Sequence, residues 1–376
     1  MSRLNLIIAD SDEVYLESLS NALINNYSKR FKINIFTNED ALIKFLDSSD
    51  FAVDILLISA DLCTKIKNSD RINTLILLTG GRLPVGMQGQ FAINRYQHID
   101  MIVNEIFGYY SEKNRSEVFF TSEKGKSKVI GVYSPSGGSG KTSLSVCSSI
   151  YCAGKGLTVF YLNLENFNSS CPFFKKAGEH NLSKMIYYLK EDNLNITLKI
   201  EAIKCVDPVN KVHYFNPPDC SSELNELNPG EISRLIQALR KMDKYDVIFI
   251  DMPVGIDKNN KTLLELCDEV FLIYTQEYYS ILKLKSFFTE LEIFSQREKL
   301  SIKEKLRLIL NKYLPNMPDR VGDSWDTGLE CFSKIPYFNA IEEPNYSSDK
   351  LKFNLQFTEC IQKLMEDVLR NEKTEL

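Results

Sequence analysis

The chain has 376 residues, 44% of them apolar and 25% charged, with a formal net charge of -5. That length exceeds one ordinary core and suits two, since domains run to roughly 100–200 residues, and no apolar run passes about eight residues, which excludes a membrane span of roughly 18 or more. The acidic balance argues against a nucleic-acid surface, because such binding draws most of its strength from clustered positive charge.

The first residues, MSRLNLIIADSDE, turn acidic early and lack an extended apolar region or a small-residue cleavage site, so they do not read as a signal peptide and the expected compartment is the cytoplasm. Then come a strand (LNLIIA), a helix from Asp12 to Asn26, a strand (KINIF), a helix from Glu39 to Leu46, the strand DILLIS, a short helix, the strand TLILLT and a helix-like HIDMIVNEIFGYY. A Ser-, Glu-, Lys- and Gly-rich stretch follows, which sets the expected domains at 1–110 and 128–376 with a linker over 111–127. Beyond it stand VIGVY, a helix from Thr142 to Ala153, LTVFYLNL, a long insertion, YDVIFID, DEVFLIY, LRLILN and a final helix. Apolar strands alternating with amphipathic helices predict α/β architecture in both halves, two doubly wound domains with mainly parallel sheets.

The nine cysteines form no CxxC pair and no cluster at metal-ligand spacing, so they read as buried reduced thiols. Lys and Arg gather from Lys283 to Lys312, but Glu290, Glu292, Glu298 and Glu304 interleave with them, as on a solvated helix face. The tail is apolar at Ile361, Leu364, Met365, Val368 and Leu369 with both signs of charge around it, which suits a packed terminal helix better than a membrane anchor.

The chemistry concentrates in VIGVYSPSGGSGKTS, Val129 to Ser143. A strand, a Gly-rich loop and a helix in that order make a phosphate site. Gly137, Gly138 and Gly140 let backbone N–H groups, those of Ser139 and Ser143 included, converge on phosphate oxygens at a helix N-terminus, while Lys141 reaches the outer phosphates and the Thr142 hydroxyl ligates Mg²⁺. The bland alternative is a Gly-rich turn, which does not account for the coincidence of GKT with three glycines and a preceding strand. Downstream, Val247 to Ile250 end in Asp251 and the run DMPVG, a carboxylate at the C-terminal edge of a parallel strand, where it holds magnesium through water. ATP and Mg²⁺ are therefore the expected ligands.

SGGSGKT, Ser136 to Thr142, resembles the K-G-G-x-G-K-[ST] loop of the MinD/ParA class of dimeric ATPases, with Ser136 in place of the signature lysine. That class usually carries D-x-D where this chain has Asn163, Leu164 and Glu165, so Glu165 reads either as a catalytic remnant that positions water or as a solvated loop acid. The resemblance further implies that Asn311, closing LRLILN, contacts adenine and that Pro336, in KIPY, lines the base, although an Asn after a strand is also a common turn former. Both departures, at 136 and 163, point to weak or absent hydrolysis with nucleotide binding retained.

The first 110 residues are similar to the response-regulator receiver domain without its chemistry. They offer Asp10 with Ser11 for the acidic pair, Ser59 where the phosphoacceptor Asp belongs, Thr79 after strand four and Arg95 for the lysine, with Asp61 read as a loop acid. The domain order, the loop, YDVIFIDMPVG and the tract VHYFNPPDCSSELNELNPGEISRLIQALRKMDKYDVIFID together resemble the TadZ/CpaE family of tight-adherence (type IVb) pilus-assembly proteins. That resemblance implies a cytoplasmic ATP-binding homodimer placed at a cell pole, pilus secretion machinery as partner, no nucleic acid, and at most peripheral contact with the inner membrane through partners. Two rivals compete: an active MinD/ParA-type positioning ATPase cycling on membrane or DNA, and a response regulator with an ATPase output. A metal-cluster reductase of related fold lacks its paired cysteines.

Overall fold

The computed structural model describes residues 3–48, 52–63, 71–81, 87, 89–114, 127–170, 173–174, 180–191, 195–242, 244–298, 302–318, 329–338 and 355–370. The chain forms two compact units, one of Met1–Ser122 with Glu191–Ile203 and the other of Glu123–Lys190 with Lys204–Leu376.

The first unit is built on a five-stranded parallel sheet in the order β2-β1-β3-β4-β5: β1 Leu4–Ala9, β2 Phe31–Phe36, β3 Val53–Ser59, β4 Ile72–Thr79 and β5 Ala92–Asn94. Alternation along β1 feeds two cores, because successive side chains leave opposite faces of a strand. Leu4, Leu6 and Ile8 join α1 (Glu13–Tyr27) and α3 (Ile99–Lys113) on one face, while Ile7 and Ala9 join Leu42 and Leu46 of α2 (Glu39–Ser48) on the other. The Asp12 side chain caps α1 by accepting the Tyr15 N–H at 3.0 Å, so the helix starts where the sequence predicts. The helix expected between β3 and β4 falls on residues 60–71, of which 64–70 lie outside the described residues.

The second unit has eight strands in the order β13-β12-β11-β6-β10-β7-β9-β8, parallel except for β8 against β9. In chain order these are β6 Lys128–Tyr133, α4 Lys141–Gly154, β7 Val159–Asn163, α5 Leu182–Lys190, α6 Ile196–Ile203 (which belongs to the first unit), β8 Cys205–Val206, β9 His213–Tyr214, α7 Pro229–Lys241, β10 Val247–Asp251, α8 Lys258–Leu266, β11 Glu269–Tyr274, α9 Tyr278–Glu298, β12 Leu306–Tyr313, β13 Cys331–Pro336 and α10 Leu355–Arg370. The central strands read as continuous apolar runs because both faces are covered: β6, β7, β10 and β11 are buried at every position. Ile361, Leu364, Met365 and Val368 of α10 are buried in the same core as Leu144 and Val146 of α4, so the tail is the packed helix its pattern predicts. Among the described residues, no helix is long and apolar enough to cross a membrane.

One segment departs from the expected division, in which the second domain runs unbroken over 128–376. Helix α6 packs on α3, with Leu198 and Ala202 in the first unit's core and Glu201 paired with Arg30 at 3.1 Å, both side chains buried. The chain thus passes between the units three times. Of the expected linker, only residues 111–114 and 127 are described, and α3 runs on to Lys113. None of the eight described cysteines is in a disulfide; Cys152, Cys205 and Cys267 are the buried thiols expected, while Cys63, Cys147, Cys331 and Cys360 are half-buried and Cys220 is exposed.

Candidate functional site

Strand β6 lies between β10 and β11 at the middle of the sheet, and its loop opens at the carboxyl edge, the usual ligand side of such sheets. Gly138 and Gly140 take φ values of 70° and 91°, in the left-handed region that favours glycine. At Gly140 a Cβ would also stand 2.3 Å from Asn311 Nδ2, so any side chain there would have to displace the Asn311 amide as well as strain the backbone. Gly140 is the N-cap of α4 and has no side chain to cap it, which leaves the first-turn N–H groups and the positive end of the helix dipole to an anion.

A cavity of about 350 Å³ opens against this loop, within the range of small-molecule sites. Gly138, Gly140, Lys141, Thr142 and Ser143 line it together with Glu165, Asn311 and Pro336, which the chain order scatters over more than half the sequence. Asn311 donates from Nδ2 to the Ser139 carbonyl at 2.8 Å, so its amide braces the loop backbone. Gly137 and Ser139 belong to the loop but not to the cavity lining, and Ser136 is buried, its N–H donating to Ser134 Oγ at 3.1 Å.

Register places the acidic and amide groups side by side. Asp251, the last residue of β10, pairs with Val132 of β6 on one side and Asn163 of β7 on the other. Asp251 is fully buried, and its Oδ1 has no hydrogen-bond partner among the described residues, while Oδ2 accepts from the Tyr161 hydroxyl at 3.0 Å. Burial, and then the Glu165 carboxylate, push the Asp251 carboxyl above the usual carboxylate range, against the pull of Thr142, Lys141 and Tyr161. Burial and the Asp251 charge likewise push the Tyr161 phenol well above its ordinary value, so it stays a donor. Glu165 is no solvated loop acid: Oε1 pairs with Lys141 Nζ at 2.9 Å and Oε2 accepts from the Thr142 hydroxyl at 2.8 Å.

These groups fit Mg·ATP. The uncapped helix start and Lys141 suit phosphates, and the Thr142 hydroxyl suits magnesium, a hard cation that takes oxygen ligands. Asp251 does not itself line the cavity, but its buried Oδ1, without a hydrogen-bond partner among the described residues, is a further oxygen of the right kind. Sequence reasoning missed Tyr161, although a hydroxyl in the buried run VFYLN was a signal, since a buried polar group needs a partner.

The first unit's expected residues also gather at one sheet edge, Asp10 after β1, Ser59 and Thr79 closing β3 and β4, and Arg95 after β5. Asp61 stands in the turn that follows Ser59.

The family described as TadZ-like, receiver domain, matches residues 2–111, and the AAA domain family matches residues 127–307. Among solved structures, a ParA family ATPase from Chlorobium tepidum TLS aligns at 18% identity and a TM-score of 0.51, covering 62% of this chain and 96% of that one. The septum site-determining protein MinD complexed with Mg-ADP from Pyrococcus horikoshii OT3 aligns at 21% identity over 64% of this chain and 96% of its own, with a TM-score of 0.46. MinD of Aquifex aeolicus gives 16%, 64%, 97% and 0.49 in the same terms. No curated protein matches the sequence significantly. At these identities the likeness to the first of these establishes fold and nothing further.

Proposed function

We infer, from a chain with the TadZ/CpaE architecture of a TadZ-like receiver domain followed by a MinD/ParA-like ATPase domain, that this protein is an ATP-binding localisation and assembly factor for a pilus secretion machine. The observation that carries the nucleotide part is the phosphate loop, whose Gly138 and Gly140 hold positive φ at an uncapped helix start beside a cavity of about 350 Å³. Lys141 and Thr142 take the phosphates and magnesium, with Asp251 as the second oxygen source. When bound, the metal screens phosphate charge. Hydrolysis is slow or absent, because Ser136 supplies no second cation and Asn163 supplies no second acid.

The protein acts as a homodimer. Four exposed apolar side chains support this, Phe167 after β7, Val254 after β10, and Tyr278 and Tyr279 after β11, all beyond the carboxyl edge that carries the phosphate loop. Exposed apolar groups gathered on one edge suit a second copy. The receiver-like domain is an interaction platform that accepts no phosphoryl group, the protein works in the cytoplasm at a cell pole, and any membrane contact is peripheral, through the secretion machinery.

Nucleotide occupancy of the purified chain, its turnover number and its mass by light scattering with and without Mg·ATP test the reading together. Bound nucleotide, negligible turnover and an ATP-favoured dimer are expected. A chain that neither retains nor binds nucleotide would overturn it. The rival of an active positioning ATPase draws on one observation, an acid at Glu165 within 2.8 Å of the Thr142 hydroxyl, and brisk turnover would favour it.

A further inference from the structure

Asn163 stands where an acid is expected, yet both ends of its amide are in use. Its Oδ1 accepts the Glu165 N–H at 2.8 Å and its Nδ2 donates to the Tyr161 hydroxyl at 3.0 Å, and that hydroxyl donates onward to Asp251 Oδ2 at 3.0 Å. Tyr161, Asn163 and Asp251 are all buried, so removing any one of these partners strands a polar group away from bulk solvent.

The direction of each bond is fixed by chemistry. A phenol has one proton, which the Tyr161 hydroxyl donates to Asp251 Oδ2, and with Asp251 ionised, as a magnesium ligand must be, that carboxylate can only accept. The phenol oxygen must then be approached by a donor, which an amide provides and a carboxylate at 163 does not. An acid there would also add a third carboxylate beside Glu165 and the fully buried Asp251, its register partner across the sheet.

We propose that Tyr161 and Asn163 are positioning residues that hold Asp251 by one oxygen, Oδ2, and so leave Oδ1 as the oxygen available to the nucleotide's magnesium. The chain from Asn163 continues through the Glu165 backbone, and the Glu165 carboxylate meets both Lys141 and Thr142, so the same relay ties the strand-end acid to the phosphate loop. Asn163 is then a replacement matched to Tyr161 and not a simple loss. This inference rests on the reading of the cavity as a Mg·nucleotide site.

The test compares ADP dissociation constants of the full-length chain in Mg²⁺ and in EDTA, for the unaltered protein, Tyr161→Phe and Asn163→Asp, with thermal unfolding as the control for fold. The unaltered chain is expected to bind ADP more tightly with Mg²⁺. Each variant is expected to lose on the order of tenfold of that magnesium-dependent gain, as removal of groups that orient a ligand to metal usually does, while its affinity in EDTA holds. A merely structural role would shift both conditions alike. Folded variants with the unaltered Mg²⁺-to-EDTA ratio, or with parallel losses in the two conditions, overturn the proposal. So does an unaltered chain that binds ADP equally in both, which leaves the nucleotide reading standing; binding in neither removes both. If Tyr161→Phe fails to fold, Asn163→Asp, which is isosteric, decides alone.

Discussion

The guanidinium of Arg95 is paired with the carboxylate of Asp10, whose other oxygen accepts the Asp12 N–H at 3.0 Å. Arg95 also lies over the Tyr15 ring, 4.4 Å from its centroid. Both oxygens of the acid that would serve a receiver's magnesium are therefore occupied, one by a cation that does not lose its proton. Ser59, at the position of the phosphoacceptor, is buried, with no carboxylate to form an acyl phosphate.

From this pair follows insensitivity to phosphodonors. Full-length protein incubated with acetyl phosphate and Mg²⁺ is expected to show unchanged intact mass, and Arg95→Ala is expected to stay unmodified as well while losing about 1–3 kcal/mol of stability, because it strands the buried Asp10 carboxylate although Arg95 itself is partly exposed. A stoichiometric adduct removed by hydroxylamine would contradict this account of the domain.

The second prediction concerns α6. Leu198 is fully buried in the first unit's core although it lies some seventy residues past the phosphate loop's first strand, and Leu198→Asp places a carboxylate among apolar side chains. The cost is about 3 kcal/mol or more. Hydrogen exchange is expected to speed up along α3, residues 99–113, with no change along α10. Unaltered protection of α3 would show that α6 does not complete that core.

Why the sequence conveyed some of this and not the rest is a matter of range. Strands buried on both faces announce themselves as apolar runs, and Asp12 before VYLESL marks a helix start through a local hydrogen bond, so β1, α1, β6 and β10 were legible from neighbours alone. The phosphate loop was legible because glycine reports on backbone conformation directly. ITLKIEAI, by contrast, specifies that something will cover its apolar residues and not what, and its partner Arg30 lies 171 residues away. Tyr161 and Asp251 meet through sheet register, 90 residues apart, which no local pattern encodes.

Asn311 separates two roles that sequence resemblance and geometry assign differently. An adenine contact predicts that Asn311→Ala weakens ATP and leaves a base-free phosphate ligand alone. A brace on Ser139 O, bonded at 2.8 Å, predicts equal loss for ATP, GTP and tripolyphosphate, because the phosphate cradle itself relaxes. We expect the second pattern, with a loss on the order of tenfold for a hydrogen bond worth about 1 kcal/mol and the loop order that depends on it. Competition binding against a fluorescent nucleotide reads all three ligands, and a loss confined to ATP would return Asn311 to the base.

The last prediction concerns catalysis, where Lys141, Glu165 and Ser136 pull in different directions. Lys141 carries the charge that phosphates need, so Lys141→Ala is expected to abolish nucleotide binding. Glu165 competes for that same charge, its Oε1 standing 2.9 Å from Lys141 Nζ while Oε2 holds the Thr142 hydroxyl. Removing its charge in Glu165→Gln is expected to tighten ATP by roughly three- to tenfold, since a charged hydrogen bond that must break on binding exceeds a neutral one by about 1 kcal/mol. Ser136 acts on the rate alone. A cation delivered to the phosphates is worth roughly 10³ to 10⁵ where transition-state charge develops, and a serine side chain delivers none. Ser136→Lys is therefore expected to leave ATP affinity near its starting level and to raise turnover, though only in part, because position 136 is buried and Asn163 still replaces an acid. Single-turnover rates and binding constants for the three variants, each checked by thermal unfolding, decide the matter. Brisk hydrolysis by the unaltered chain, or ATP binding that survives Lys141→Ala, would remove the mechanism.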